Sequence, residues 1–219
     1  MVRYVARALG IADPGVLGDY ARGEARWDHQ AEIRRRYGLR DWSEPGAQAE
    51  LVGWLEARAW VGAESHRVLF DRAVEHLIAA KVLLPGASVL WRLVRAVRER
   101  ASERGFTLVA GPLTDVERER LLALLIAPGD GRDSPFERLR RGPVKPTADG
   151  VLDALARLRE LREVAPALTG IAELPFARLR VLMLDARTRR AGDIEDLGLL
   201  RRLATLAAFT TVSEQAAQD

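Results

Sequence analysis

The stretch Lys81-Val82-Leu83-Leu84-Pro85-Gly86-Ala87-Ser88 separates two runs of helical periodicity and decides how the chain is interpreted. Apolar residues at i, i+3, i+4 and i+7 lie on one side of an α-helix, and the second run has this spacing in Leu90, Leu93, Val94 and Val97. Its opposite side carries Ser88, Arg92, Arg95 and Glu99. A helix, a short Pro-Gly turn and a second helix with a basic outer face are what a helix-turn-helix DNA reader requires. Any helical hairpin shares this pattern, so periodicity alone leaves both interpretations open.

Composition limits the kinds of protein that the chain can be. Its 219 residues are 48% hydrophobic, which is enough for a packed core. Basic residues number 34 against 31 acidic ones, and all of the basic residues except Lys81 and Lys145 are arginines. Arginine suits phosphate and guanine, but nucleotide composition also produces arginine enrichment. The absence of cysteine excludes disulfides, cysteine-zinc sites and thiol nucleophiles.

No motif in the sequence predicts catalysis, a metal site or a cofactor. The histidines His29, His66 and His76 lack a metal-ligand spacing, and no phosphate loop or acid/base pair is recognisable. No apolar stretch is long enough to span a bilayer, so the sequence predicts a soluble, cytoplasmic protein without membrane contact.

Periodicity and capping signals predict helices along the whole chain. Ser65, Thr114 and Ser134 are predicted N-caps, the last two in capping boxes with Glu117 and Glu137. Gly38 is a predicted left-handed cap, and the chain is expected to fray beyond Val212. Predicted helices cover roughly residues 4–9, 14–20, 27–37, 47–60, 65–80, 88–104, 116–126, 135–141, a long segment from 147, 176–185 and 194–209. Residues 106–112 are interpreted as an irregular crossing or one weak strand. In the helix that Thr147 opens, the predicted buried stripe is Val151, Leu152, Leu155, Leu158 and Leu161, and the predicted solvent-facing residues are Arg157, Arg159, Glu160 and Arg162.

The predicted fold class is all-α, a multi-helix bundle with helix-turn-helix-like hairpins, because no stretch alternates with a period of two. Three regions are expected. Residues 1–44 form an N-terminal helical segment, 45–110 a helix-turn-helix-like DNA-binding domain, and 111–219 a helical linker or dimerisation region.

Three basic clusters are candidate phosphate or base contacts. Arg34, Arg35, Arg36 and Arg40 lie beside Tyr37 and Trp42, and they fit either phosphate binding or a solvated helix face. The second cluster lies on the helix after the Pro-Gly turn and consists of Arg92, Arg95, Arg98, Arg100 and Arg104. It is favoured for DNA contact because the N-terminal turns of such a helix meet base edges. The third cluster, Arg138, Arg140, Arg141 and Lys145, surrounds a proline-stiffened linker and is the weakest of the three.

The run from Arg67 to Val94, preceded by Tyr37-Gly38-Leu39-Arg40-Asp41-Trp42, resembles the N-terminal region of transposases of the class II replicative transposons, the Tn-three family. Its most specific part is the block Lys81-Val82-Leu83-Leu84-Pro85-Gly86 with the following Ser88, Leu90, Arg92, Leu93 and Val94. A weaker resemblance continues through residues 121–141 and the helix after Thr147. Composition and periodicity do not name this family.

The resemblance implies a helical module that binds the terminal inverted repeats of a transposon as double-stranded DNA. It also implies that the catalytic domain, with its carboxylates and magnesium, lies beyond Asp219, and that the chain is truncated and non-enzymatic. The expected DNA contacts are Arg34, Arg35, Arg36, Arg40, Lys81, Ser88, Trp91, Arg92, Arg95, Arg98, Arg140, Arg141 and Lys145. The alternative is a helical scaffold, or a fragment that dimerises with itself or with a full-length transposase and inhibits it.

Overall fold

The computed structural model describes residues 10, 12, 25–129, 131–141, 147–166 and 170–217, and within them the fold is all-α as predicted. The helices are α1 Ala25–Tyr37, α2 Pro45–Val61, α3 His66–Ala79, α4 Ala87–Ala110, α5 Asp115–Ala123, α6 Pro135–Arg141, α7 Ala148–Val164, α8 Phe176–Thr188, α9 Ala191–Glu195 and α10 Leu199–Gln215, with a 3-10 turn at Gly170–Glu173. The helices predicted at 4–9 and 14–20, and the predicted linker with Lys145, lie outside the described residues.

Two helices end in the same backbone motif. Gly38, with φ of +62°, follows α1, and Leu39 N donates to the carbonyl of Arg34 at 2.8 Å. Lys81, with φ of +55°, follows α3, and Val82 N donates to the carbonyl of Leu77 at 2.9 Å. Both are Schellman-type ends, in which a left-handed residue turns the chain back on the last turn. The glycine cap predicted at Gly38 is therefore confirmed, and a lysine has the equivalent place before the Pro-Gly turn.

Most of the predicted helix starts are confirmed by hydrogen bonds. The hydroxyls of Ser65, Thr114 and Thr147 accept from the backbone three residues ahead, and Glu117 completes a capping box with Thr114. The box predicted at Ser134 forms only in half. Its hydroxyl accepts from Glu137 N at 3.3 Å, but the Glu137 carboxylate instead accepts from Ala191 N and Arg140.

The first hydrophobic core lies between α2, α3 and the N-terminal half of α4. Its buried residues are Ala47, Leu51, Leu55, Ala59, Leu69, Ala73, Leu77, Val82, Leu90, Val94, Val97 and Ala101. Val82, in the turn before α4, belongs to this core and anchors the turn against it. Val68 and Ile78, two other apolar residues of α3, are exposed.

The interpretation of residues 106–112 as an irregular crossing or strand is wrong, because α4 continues unbroken to Ala110. Gly105 lies on the buried side of the helix, where a Cβ would make an ordinary van der Waals contact with Leu174 Cδ1 at 3.5 Å, and the glycine does not interrupt the helix. Val109 and Ala110 are buried in a second hydrophobic core. One helix therefore contributes to both cores.

The second core gathers α5 to α10 around α10, which is buried from Leu203 to Thr210. The single helix predicted at 194–209 is wrong, since α9 ends at Glu195 and α10 starts at Leu199 after a break that contains Gly198. The helix also extends beyond the predicted fraying point at Val212, because Ser213 is buried against the core. The predicted domain boundaries stay a prediction, although the two cores occupy residues 47–101 and 109–209.

The predicted apolar stripe of α7 is only partly buried. Leu161 is fully buried, whereas Val151, Leu152 and Leu155 are 58%, 64% and 47% exposed, so the prediction is wrong for these three residues. Arg157, predicted to face water, instead donates from Nε to the carbonyl of Leu139 at 2.9 Å. Burial, with Arg187 nearby, lowers the pKa of Arg157. The N-terminal half of α7 thus presents apolar side chains to solvent.

Candidate nucleic-acid interface

The hairpin of α3 and α4 has the layout of a helix-turn-helix, with the turn at residues 80–86. The core side of α4 carries Leu90, Val94 and Val97, all buried. The opposite side of its first two turns is solvent-exposed, and it carries Ser88, Trp91, Arg92 and Arg95, which we call the outer face of α4. In DNA-bound helix-turn-helix proteins this part of the second helix enters the major groove.

Trp91 is 43% exposed and is held from one side by α3. Its ring centroid lies 5.7 Å from that of Phe70 and 6.2 Å from that of His66. Burial, reinforced by Arg98 and Arg95, lowers the pKa of His66, which favours the neutral imidazole. Two aromatic rings of α3 thus lie against one side of Trp91, and the rest of its ring faces solvent.

Three arginines of α4, Arg92, Arg95 and Arg98, differ in their hydrogen-bond partners. Arg92 donates from Nε to the carbonyl of Ser88 at 3.3 Å, and Arg95 donates from Nε to Glu99 Oε1 at 2.8 Å. Among the residues that the structure describes, no partner lies at the Nη1 and Nη2 groups of either side chain.

Arg98 is turned inward. Its Nε donates to the carbonyl of Glu64 at 3.0 Å, and its Nη1 lies 3.3 Å from His66 Nδ1. Arg98 therefore fastens the start of α3 to α4, whereas Arg92 and Arg95 keep donors for a ligand.

The cluster from Arg34 to Arg40 is divided in the same way. Arg34 pairs with Asp41 at 2.7 Å, and Arg40 makes a two-pronged contact with Glu50 at 2.7 and 3.0 Å. Arg35 and Arg36 are exposed, with no partner among the described residues. Of the four predicted phosphate contacts, these two have uncompensated charges.

A backbone strap joins this cluster to the turn of the hairpin. Arg40 N donates to the carbonyl of Lys81 at 2.8 Å, and Leu83 N donates to the carbonyl of Arg40 at 3.0 Å, which forms an isolated parallel bridge. The Lys81 side chain is exposed and finds no partner in the described part of the chain. The strap places Lys81 and the end of α1 beside the start of α4.

In the third basic cluster, on α6, each arginine forms an ion pair with a carboxylate. Arg138 pairs with Glu160, Arg140 pairs with Glu137 at 2.6 Å, and Arg141 pairs with Asp133 at 2.6 Å. Arg140 also donates to the carbonyl of Arg187 at 3.0 Å. Lys145, the fourth predicted member, lies outside the described residues. The structure does not bring the three described residues together with the outer face of α4.

A groove of about 820 Å³ separates α4 from α8, and its near wall includes Trp91, Arg95 and Glu99. At its base Arg178 donates to the carbonyls of Ala59 and Trp60, which end α2, and to Ser102 Oγ at 3.1 Å. Burial, with Arg98 nearby, lowers the pKa of Arg178. Arg178 thus caps α2 and ties the second core to the first.

Neither a metal site nor a membrane span is found in the described ranges. No group of three or more histidine or acidic side chains there could hold a metal ion. His76 stacks on Trp54 at 4.4 Å between ring centroids, which is a packing role. No helix in these ranges is long and apolar enough to cross a membrane.

Sequence reasoning missed the residues that support the outer face. Glu99 was placed on this face, but its bond to Arg95 was not inferred, although the i, i+4 spacing is visible in the sequence. His66 and Phe70 of α3 are also four residues apart, so they lie on one side of that helix. Their contact with Trp91 could have been considered on this basis. The contact between Arg178 and α2 joins residues more than a hundred positions apart and has no local signal.

Comparison with known proteins identifies related chains. Residues 1–97 match a family described as "Domain of unknown function (DUF4158)". The transposase for transposon gamma-delta of Escherichia coli (strain K12) is 33% identical over 217 residues, which cover 99% of this chain and 22% of the relative. The transposase for transposon Tn21 of Escherichia coli is 27% identical over 87% of this chain and 19% of the relative. The transposase for transposon Tn1546 of Enterococcus faecium is 24% identical over 82% of this chain and 18% of the relative.

The chain therefore spans about a fifth of the length of the curated relatives it matches. The matched segments cover most of both hydrophobic cores, so the relationship is not confined to the helix-turn-helix hairpin. Residues 1–97 thus match the DUF4158 family model, and the chain is similar, over nearly its whole length, to transposases of the Tn-three family.

Proposed function

We propose that the chain is the module of a transposase that binds the terminal inverted repeats of its transposon as double-stranded DNA. The observation that carries this proposal is the outer face of α4, where Arg92 and Arg95 keep free terminal donors beside the exposed Ser88 and Trp91. Base edges in the major groove offer the acceptors that such donors recognise. The face lies at the N-terminal turns of the second hairpin helix, where DNA readers of this kind make base contacts.

Phosphate contacts are assigned to the free cations around this face. Arg35, Arg36 and Lys81 are exposed and lack partners among the described residues, and the strap between Arg40 and Lys81 joins the end of α1 to the turn of the hairpin. Arg34, Arg40, Arg98 and the α6 arginines have partners within the protein, so they are weaker candidates than the sequence suggested. Phosphate contacts would set register and affinity, and the outer face would supply sequence preference.

A salt titration tests this function. Binding of a labelled terminal-repeat duplex and of a scrambled duplex is measured by fluorescence anisotropy between low and moderate salt. The logarithm of the association constant should fall with the logarithm of salt by about 0.9 for each phosphate neutralised, so three such contacts give a slope near −2.7. The terminal repeat should also bind more tightly than the scrambled duplex. Equal binding of both duplexes at every salt concentration would reject the function.

The same proposal leaves strand cutting and joining outside these 219 residues. The relatives that carry the name transposase are about five times as long as the matched segment, so their activity does not pass to this chain as a whole. A DNA-binding role would place the chain in the bacterial cytoplasm. Incubation with terminal-repeat DNA and magnesium should give a complex without nicked or joined strands, and the appearance of such products would contradict this part of the proposal.

One observation favours the alternative role of a scaffold that dimerises. Val151, Leu152 and Leu155 form a contiguous exposed apolar face on α7, at i, i+1 and i+4. A second copy of the chain or a full-length transposase would cover it. Light scattering across a concentration series should then show a dimer that Leu152→Glu abolishes. Val116→Glu, at an exposed apolar residue of α5, is the matched control and should leave the dimer intact.

A further inference from the structure

The side chains of Arg92 and Arg95 are each held at one atom and free at the other end. In both, the Nε group donates to an acceptor on α4 itself. The acceptor is the carbonyl of Ser88 for Arg92 and the carboxylate of Glu99 for Arg95. The anchor of Arg92 is a carbonyl of the backbone, which every sequence supplies. The anchor of Arg95 is a side chain one turn further along, at 2.8 Å, and therefore depends on the residue at position 99.

Anchoring through Nε matters because it leaves the two terminal groups of the guanidinium, Nη1 and Nη2, free to bind a base. An arginine reads guanine with two parallel N–H groups on the O6 and N7 acceptors, and the Nη1 and Nη2 groups provide such a pair while Nε is occupied. A side chain that is already ordered loses less conformational entropy when it binds. Glu99 thus orders Arg95 without using the donors that a base would need.

Another exposed pair shows the opposite arrangement. On α3, Arg72 contacts Glu75 through Nη1 at 2.7 Å, so that carboxylate occupies the end of the guanidinium. Both pairs are solvent-exposed and both lie within one helix. The position of the carboxylate on the guanidinium, and not the presence of an ion pair, distinguishes Arg95.

We infer that Glu99 is a positioning residue, which holds the Arg95 fork for a guanine in the major groove of the bound DNA. This inference rests on the proposed function, since it names the base and the supporting residue of the same face. Glu99 itself carries a negative charge near a polyanion, so its presence lowers affinity for DNA in general. The carboxylate therefore improves discrimination between base pairs at the expense of non-specific binding.

The test measures one guanine at a time. Each guanine of the terminal-repeat duplex is replaced by 7-deazaguanine, which removes the N7 acceptor and retains base pairing. The position read by Arg95 is the one whose replacement weakens binding to the unmodified protein but not to Arg95→Ala. That penalty should be roughly three- to tenfold, smaller than for loss of a whole bidentate contact, because O6 still accepts one of the two hydrogen bonds.

Three variants then separate positioning from charge. Glu99→Ala should reduce the 7-deazaguanine penalty at this position towards unity, whereas Glu99→Gln should retain most of it, because the amide oxygen still accepts from Nε. Glu75→Ala removes the same charge from the other pair and should leave the penalty unchanged. The midpoint of thermal unfolding should be alike in all variants, because the pair is exposed.

Three outcomes would overturn the inference. If Glu99→Ala and Glu99→Gln both strengthen binding to all duplexes alike and keep the full penalty, Glu99 acts only as a charge. The inference also fails if every 7-deazaguanine replacement affects the unmodified protein and Arg95→Ala equally. The proposed function survives that result as long as the terminal repeat still binds better than the scrambled duplex. Equal binding of those two duplexes by the unmodified protein rejects both.

Discussion

The arginines of α4 and those of α6 look alike in the sequence but differ in the folded protein. On α6, each of the three arginines has a carboxylate partner, in Glu160, Glu137 and Asp133. On the outer face of α4, Arg92 has no carboxylate partner in the described residues, and Arg95 has one only at Nε. The number of arginines in a segment therefore does not measure the charge that it offers to DNA.

The difference has a structural cause. The α6 helix has seven residues, and acidic side chains approach it from its own first turn, from the preceding loop and from α7. The outer face of α4 lies opposite the side that is buried in the first core, and the carboxylate bonded to Arg95, that of Glu99, comes from the helix itself.

The largest expected effect tests whether the region of α6 is structural. Phe136 is fully buried and packs edge-on against Phe209 at 5.1 Å between ring centroids. Phe136→Ala should lower the free energy of unfolding by about 3–5 kcal/mol, as large-to-small changes in a core do. Urea denaturation measures this change. Phe176→Ala, at a residue that is 76% exposed, is the control, and an equally small loss for both variants would contradict the prediction.

The second prediction compares one arginine from each cluster. Arg92→Ala should weaken binding to the terminal repeat by about 1–3 kcal/mol and relax specificity there. Arg140→Ala should leave binding unchanged and reduce stability instead, because Glu137 would lose a partner in a partly buried site. Anisotropy titrations and urea denaturation of both variants provide the measurements. A similar loss of DNA affinity in the two variants would remove the distinction between the clusters.

The third prediction concerns an exposed cation outside the outer face. Arg35→Ala should weaken binding to all duplexes alike and reduce the salt slope by about 0.9, the contribution of one phosphate contact. Arg141→Ala is the matched control, since Arg141 is exposed but paired with Asp133 at 2.6 Å. Titrations at several salt concentrations compare the slopes. A reduced slope for Arg141→Ala but not for Arg35→Ala would reverse the assignment.

The smallest effect is a pH dependence of stability in the second core. Burial favours the protonated form of Asp185, but hydrogen bonds from Arg201 and Arg189 outweigh burial and hold its pKa below the ordinary value. An unfolded aspartate titrates near about 3.9. The stabilisation by Asp185 is therefore fully present above that pH and is lost as the pH falls through the lower folded pKa.

Asp185→Asn should remove this part of the acid dependence, and urea denaturation between neutral pH and about pH 3 measures it. Asp153→Asn removes one negative charge from the exposed part of α7 and serves as the control. An acid dependence that is identical in the unmodified protein and in Asp185→Asn would show that the ion pairs with Arg189 and Arg201 contribute nothing to stability.

Local signals predicted most of the helices. Capping hydroxyls at Ser65, Thr114 and Thr147 and the left-handed Gly38 act within one turn of the chain, so the sequence reveals them directly. The exposed outer face of α4 also followed from periodicity, because one hairpin buries one side of each helix.

Features that depend on distant residues were not predictable. The predicted helix at 88–104 stopped short of Ala110, because Leu174, the residue that packs near Gly105, comes from a segment about seventy residues away. Leu152 and Leu155 have the spacing of a core stripe, but in the folded chain no described helix packs against them. Likewise, nothing in the sequence shows that Arg98 points to the carbonyl of Glu64 while Arg95 remains on the surface.

The membership of α4 in both cores has a mechanical consequence. At a rise of 1.5 Å per residue, its 24 residues form a rod of about 36 Å. The end that bears Arg92 lies in the first core, and the end that bears Val109 lies in the second. A tilt of about 5° at one end would displace the other by about 3 Å over this length. A rigid-body tilt of α4 at Arg92 would therefore also change the packing of Val109 in the second core.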